Sequence, residues 1–186
     1  GTLNGGAGNH PPTYPDSAVA INVNLAAPLA SGGDAEGDTL SNIENLTGSD
    51  YADTLAGDAE ANRLEGGAGD DVLRGGAGAD TLMGGAGNDS ASYADSAAGV
   101  NVNLATGLTS GGDAAGDALS GIENLTGTQH TDNLTGDAGA NRLDGSAGDD
   151  TLTGGVGSDM LVGGAGNDTA SYAASAAVIV DLGGGA

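Results

Sequence analysis

Along most of the chain a single apolar residue recurs at every ninth position among small and polar neighbours. Leu46, Leu55, Leu64, Leu73, Leu82 and Ala91 keep this spacing, as do Leu125, Leu134, Leu143, Leu152, Leu161 and Ala170. Two positions before each stands an oxygen-bearing side chain: Glu44, Asp53, Asn62, Asp71, Asp80 and Asp89, then Glu123, Asp132, Asn141, Asp150, Asp159 and Asp168. The residues around each apolar position, as in Asp-Thr-Leu and Asp-Asn-Leu, suit a short strand. The intervening six are rich in glycine, whose density excludes a helix at about 1 kcal/mol per position relative to alanine. A turn of six and a strand of three, repeated, predict two strands per 18-residue coil. The fold class is therefore all-β, a right-handed parallel β-roll or β-solenoid. Each coil would bury its leucine only against its neighbours, stacked about 4.8 Å apart.

A longer repeat overlies the short one. Tyr14, Tyr93 and Tyr172 are 79 residues apart. Ile21-Asn22-Val23-Asn24-Leu25 recurs as Val100-Asn101-Val102-Asn103-Leu104, and, one residue early, as Val178-Ile179-Val180-Asp181-Leu182. The expected organisation is the tail of one module (1–13), a full module (14–92), a second (93–171) and the start of a third (172–186). The chain opens inside a repeat and so looks like an excised segment. Six nonapeptides make three coils, and the remaining stretch, about Tyr93 to Asp117, is expected to form one enlarged 18-residue coil with a seven-residue loop. This arithmetic favours one continuous solenoid over two separate rolls.

The turns carry the candidate chemistry. In the clearest copies they read Gly-Gly-x-Gly-x-Asp, as in Gly66-Gly67-Ala68-Gly69-Asp70-Asp71, Gly75-Gly76-Ala77-Gly78-Ala79-Asp80 and Gly84-Gly85-Ala86-Gly87-Asn88-Asp89. With two strands per coil, the Asp of one nonapeptide stacks on that two repeats later. The expected ladders are Asp53, Asp71, Asp89 and Glu44, Asn62, Asp80, then Asp132, Asp150, Asp168 and Glu123, Asn141, Asp159. A cation between stacked turns would take these side-chain oxygens plus backbone carbonyls from the glycine turns at Gly67, Gly69, Gly76, Gly78, Gly85, Gly87, Gly155, Gly157, Gly164 and Gly166. An all-oxygen, adaptable donor set selects Ca²⁺ over Mg²⁺, and the absence of Cys argues against Zn²⁺. Asp38 and Asp117, after a Gly-Gly-Asp-x-x-Gly turn one residue too long, are read as further ligands. Glu44 and Glu123 sit in shortened turns, where a ligand role competes with a capping one. At the start of the chain His10, followed by Pro11 and Pro12, replaces the Asp and breaks that site.

Composition changes the picture in two respects. Of 186 residues 38 are Gly, 3 are basic and none is Phe, Trp or Cys; the formal net charge is −23. Such a chain would ordinarily stay disordered, but bound divalent cations would neutralise the charge that opposes compaction. The same charge repels phosphate backbones, so nucleic acid is not an expected partner, and no apolar run approaches a membrane span of about 20 residues. Neither His10 nor His130 has a catalytic companion, and no nucleophile elbow is present; the chain reads as a non-enzyme.

At the tandem glycine–aspartate turns the sequence resembles the RTX family, the hemolysin-type calcium-binding repeats of secreted bacterial proteins. The resemblance implies several bound Ca²⁺ ions, type I secretion and folding outside the cell. It points to a calcium-stabilised spacer, scaffold or fibre element of a larger extracellular protein, with head-to-tail self-association through open solenoid ends. The alternatives are a carbohydrate-binding module, recognising extracellular polysaccharide through the Val-Asn-Val-Asn-Leu face, and, less favoured, an ice-binding segment.

Overall fold

The computed structural model describes residues 1–5, 13–27 and 30–172. His10 and the third-module start after Tyr172 lie outside the described residues. Successive short strands, most of three residues, alternate between two opposed faces. On one face, seven strands form a single parallel sheet: Asn22–Asn24, Thr54–Ala56, Val72–Arg74, Ser90–Ser92, Asn124–Thr126, Arg142–Asp144 and Met160–Val162. Their central residues stack in register as Val23, Leu55, Leu73, Ala91, Leu125, Leu143 and Leu161. The opposite face holds a four-stranded parallel sheet, with Leu46, Leu64, Leu82 and Leu119 in one column, and a second sheet with Val102, Leu134, Leu152 and Ala170 in another.

In a three-residue strand only the middle side chain faces inward, because side chains alternate along an extended backbone. The columns between the faces are accordingly apolar, and Leu55, Leu64, Leu73, Leu82, Leu134 and Leu143 are completely buried. No coil encloses its own leucine; its neighbours above and below do, which makes the core a product of stacking. The parallel β-roll and its nine-residue register are thus as the apolar spacing requires.

The segment after Tyr93 departs from the expected 18-residue coil with a loop. Asn101–Asn103 turns back at Gly107 and pairs antiparallel with Leu108–Ser110. A short 3₁₀ turn at Gly112–Ala114 follows, and Ala118–Ser120 then lands on Thr81–Met83. The hairpin forms because Val100 and Val102 point into the core while Asn101 and Leu108 face solvent. Ala114 plugs the gap behind it, completely buried. The Thr109 hydroxyl donates to the Asp117 carbonyl at 2.6 Å, tying the hairpin to the returning strand.

This enlarged coil reverses the sides of the roll. Leu46 lies on the four-stranded face, whereas its counterpart 79 residues later, Leu125, lies on the seven-stranded one. The local bonds nevertheless repeat faithfully. Tyr14 N–H donates to Thr47 O as Tyr93 N–H does to Thr126 O, at 3.1 and 2.9 Å. The seven-stranded sheet runs through Tyr93 without a break, so the described residues form one solenoid.

Candidate calcium sites

Each turn ends in the oxygen-bearing residue that precedes a strand, and its side chain bridges to the neighbouring coil. Asp53 N–H donates to Asp71 Oδ1 at 2.7 Å, and Asp71 N–H to Asp89 Oδ1 at 2.8 Å. Asn62 N–H donates to Asp80 Oδ1 at 2.8 Å. In the second half Asp132 pairs with Asp150, Asp150 with Asp168 and Asn141 with Asp159, at 2.8, 3.1 and 3.0 Å. The stacking of each repeat on the one two positions later is therefore built into side-chain-to-backbone bonds. Two rows extend further than their spacing suggests. Asp89 N–H donates to Glu123 Oε2 at 2.8 Å, and Asp80 N–H to Asp117 Oδ1 at 2.9 Å. Glu123 and Asp117 thus close the rows of the preceding turns across the enlarged coil.

One oxygen of each carboxylate is consumed in this way. The other decides the chemistry. Oδ2 of Asp71, Asp80, Asp89 and Asp150 is buried and has no hydrogen-bond partner. An unpaired carboxylate oxygen out of water is costly as an anion. Burial pushes the Asp71 carboxyl up to about 7, with Asp53, Asp89 and Asp70 adding repulsion and the Asp53 N–H partly offsetting it. Burial likewise raises Asp80 to about 6, helped by Asp117, Asp58 and Asp113 and opposed by the Asn62 N–H. Asp89, Asp117 and Asp150 are raised for the same leading reason.

The backbone crowds the same places. A Cβ on Gly66 would run into Asp71 Oδ2 and sit 2.6 Å from Gly84 O; one on Gly145 would meet Asp150 Oδ2 and sit 2.7 Å from Gly163 O. A carboxylate oxygen and a carbonyl from the adjacent coil thus converge where only glycine leaves room. Among the described residues no three Asp, Glu or His side chains gather at one point. A cation here must draw on backbone carbonyls beside one or two carboxylates, a donor set that suits calcium.

The model of the RTX calcium-binding nonapeptide repeat matches the chain in four overlapping copies, at residues 38–64, 57–91, 126–161 and 135–170. The chain belongs to the RTX calcium-binding repeat family. No curated protein matches it significantly. The RTX matches span the orphaned carboxylates and leave out the enlarged coil between residues 91 and 126.

That unmatched coil carries a contact which the 79-residue tyrosine spacing signalled without explaining. Tyr93 is buried, and its hydroxyl donates to Asp117 Oδ2 at 3.0 Å; Tyr14 does the same to Asp38 Oδ2 at 3.3 Å. Burial and the adjoining carboxylate push the Tyr14 phenol up to about 12 and raise Tyr93 likewise. Tyr93→Phe is expected to lower the stability of the calcium-loaded roll by about 1.5–3 kcal/mol, the worth of a hydrogen bond to a charged group, and Tyr14→Phe by less. Urea unfolding in calcium buffer measures both, and a Tyr93→Phe variant as stable as the parent would remove the anchoring role. Asp38 is only half-buried, with one oxygen against the Gly1 amino group. Asp159 is half-buried and Asp168 exposed near the end of the described residues, and His130 is exposed in its turn.

Proposed function

We propose that this chain is a calcium-gated scaffold segment of a secreted protein, unfolded in the low calcium of the cytosol and folded outside the cell. The buried, partnerless Oδ2 atoms of Asp71, Asp80, Asp89 and Asp150 carry the calcium reading. With Asp159 and Asp168, and with carbonyls of the paired glycines at Gly67 and Gly69, Gly76 and Gly78, Gly85 and Gly87, Gly155 and Gly157, and Gly164 and Gly166, they are the proposed donors; both oxygens of Asp117 are already taken, by the Asp80 N–H and the Tyr93 hydroxyl. The scaffold reading is supported by the seven-stranded sheet, which continues from Asn22 to Val162 across two repeats. A bound ion brings positive charge to the turns; the chain's own residues stack the coils and fix the oxygens.

Extracellular calcium modules bind at about 10⁻⁴–10⁻³ M. A calcium titration followed by far-UV circular dichroism, with light scattering in parallel, is expected to show a cooperative gain of β structure in that range. Scattering that stays at the monomer value marks a spacer, and scattering that rises marks a fibre element. A spectrum unchanged by calcium would rule out the gate.

A further inference from the structure

The turns of each module are of two kinds. In residues 48–53, 57–62, 127–132 and 136–141 no residue has a positive φ. There the N–H of the second turn residue donates to the side chain of the last. Ser49 reaches Asp53 Oδ2 at 2.5 Å, Asp58 reaches Asn62 Oδ1 at 2.8 Å, Thr128 reaches Asp132 Oδ2 at 2.6 Å, and Asp137 reaches Asn141 Oδ1 at 2.8 Å. The Ser49 and Thr128 hydroxyls add bonds to Asp53 and Asp132 at 2.9 and 3.0 Å. These turns are closed on themselves.

In the other six turns the second and fourth residues are left-handed: Gly67 and Gly69, Gly76 and Gly78, Gly85 and Gly87, Ser146 and Gly148, Gly155 and Gly157, Gly164 and Gly166. With that backbone the second N–H no longer caps the last side chain. Four of the five partnerless buried carboxylate oxygens among the described residues fall here, on Asp71, Asp80, Asp89 and Asp150, each at most 1% exposed, and the fifth, Glu44 Oε2, precedes the closed turns and belongs to neither kind. The side chains agree independently. Asn ends two of the four closed turns, where a neutral amide accepts the same N–H, whereas Asp ends all six open ones. The partnerless atom in a closed turn, Asn62 Nδ2, is a donor and unsuited to a cation, and Asn141 Nδ2 already donates to Glu123 O at 2.9 Å.

We infer that calcium is taken only by the six open turns, and that the four closed turns, which make up one coil in each module just ahead of its open turns, are held by their own hydrogen bonds without an ion. The inference rests on the calcium reading above and divides the candidate ligands. Asp53, Asn62, Asp132 and Asn141 become calcium-independent staples, and each closed coil is a ready template on which the first open coil stacks.

The test counts ions on the full chain by native mass spectrometry and follows the calcium midpoint by circular dichroism, with Ca²⁺ itself as the probe. Asp53→Asn and Asp132→Asn are expected to keep the parent's ion count, with the midpoint moved only by the one backbone hydrogen bond that an amide cannot accept. Asp71→Asn and Asp150→Asn are each expected to lose at least one ion and to need several-fold more calcium to fold. Loss of an ion in Asp53→Asn, with the parent still binding, overturns this inference alone. A parent chain that binds no calcium overturns the calcium reading and this inference with it. Should Asp71→Asn fail to fold at any calcium level, the Asp53→Asn and Asp132→Asn counts still decide.

Discussion

In calcium-free buffer the chain is expected to gain β structure as the pH falls from 8 toward 5, with acid standing in for the metal. The sign follows from Asp71 and Asp80, whose carboxyls are raised from 3.8 to about 7 and about 6 in the folded roll. A group with a raised folded pKa binds more protons folded than unfolded, so stability falls as pH rises between the two values. The metal-free fold is therefore favoured at pH near 4 and penalised progressively as the pH passes 6 and then 7. Protonation removes the buried negative charge and lets the orphaned oxygen donate instead. Calcium reverses the trend, because protons then compete with the ion for the same carboxylates. Ellipticity measured against pH, with and without calcium, should give curves that cross. A metal-free curve that is flat, or that rises with pH, would mean that the buried aspartates do not govern the metal-free fold.

Gly87→Ala is expected to abolish the calcium-induced fold or raise its calcium requirement beyond reach. Two costs combine at this site. The φ of Gly87 is +154°, a backbone that L-residues rarely adopt. An added Cβ would also collide with Gly69 O of the coil below and lie 2.7 Å from the Gly69 carbonyl carbon. Backbone cannot swing aside as a side-chain tip can, so the coils would have to part and lose their register. Gly107→Ala supplies the control. Its φ is +72°, but nothing lies within 4 Å of the new methyl group, so only the conformational cost of about 1–2 kcal/mol should appear. Calcium titrations of the two variants separate crowding from backbone strain, and equal effects would show that stacking distance does not limit the fold.

The columns of the roll are readable from the leucine spacing alone, because a strand with one inward residue leaves an unambiguous period. The pairing of Asp53 with Asp71 and of Asp132 with Asp150 follows from the same count. The enlarged coil does not. Val100-Asn101-Val102-Asn103 announces a strand, but nothing in it specifies that Leu108–Ser110 will double back against it, and only Gly107 hints at the turn. The sequence shows Tyr14, Tyr93 and Tyr172 only as a 79-residue spacing, and the bonds of Tyr93 to Asp117 and Tyr14 to Asp38 emerge only once the strands between them are placed. The closed turns show most clearly how small a change redirects the chemistry. Ser49, Asp58, Thr128 and Asp137 stand where the full phrase has its second glycine, and each keeps the backbone right of the φ divide. Ser146 stands there too, but at φ +71° it adopts the glycine-like geometry and leaves Asp150 open. Residue type alone would have misplaced it.

The reversal of sides at the enlarged coil has a consequence for display. Strand Asn22–Asn24, bridged antiparallel to Ser31, lies on the seven-stranded face, and its counterpart Asn101–Asn103 on the other. Anything the hairpins recognise is therefore presented on opposite flanks in alternate modules, like leaves on a stem. Two ligands held by these neighbouring modules could not meet across one surface.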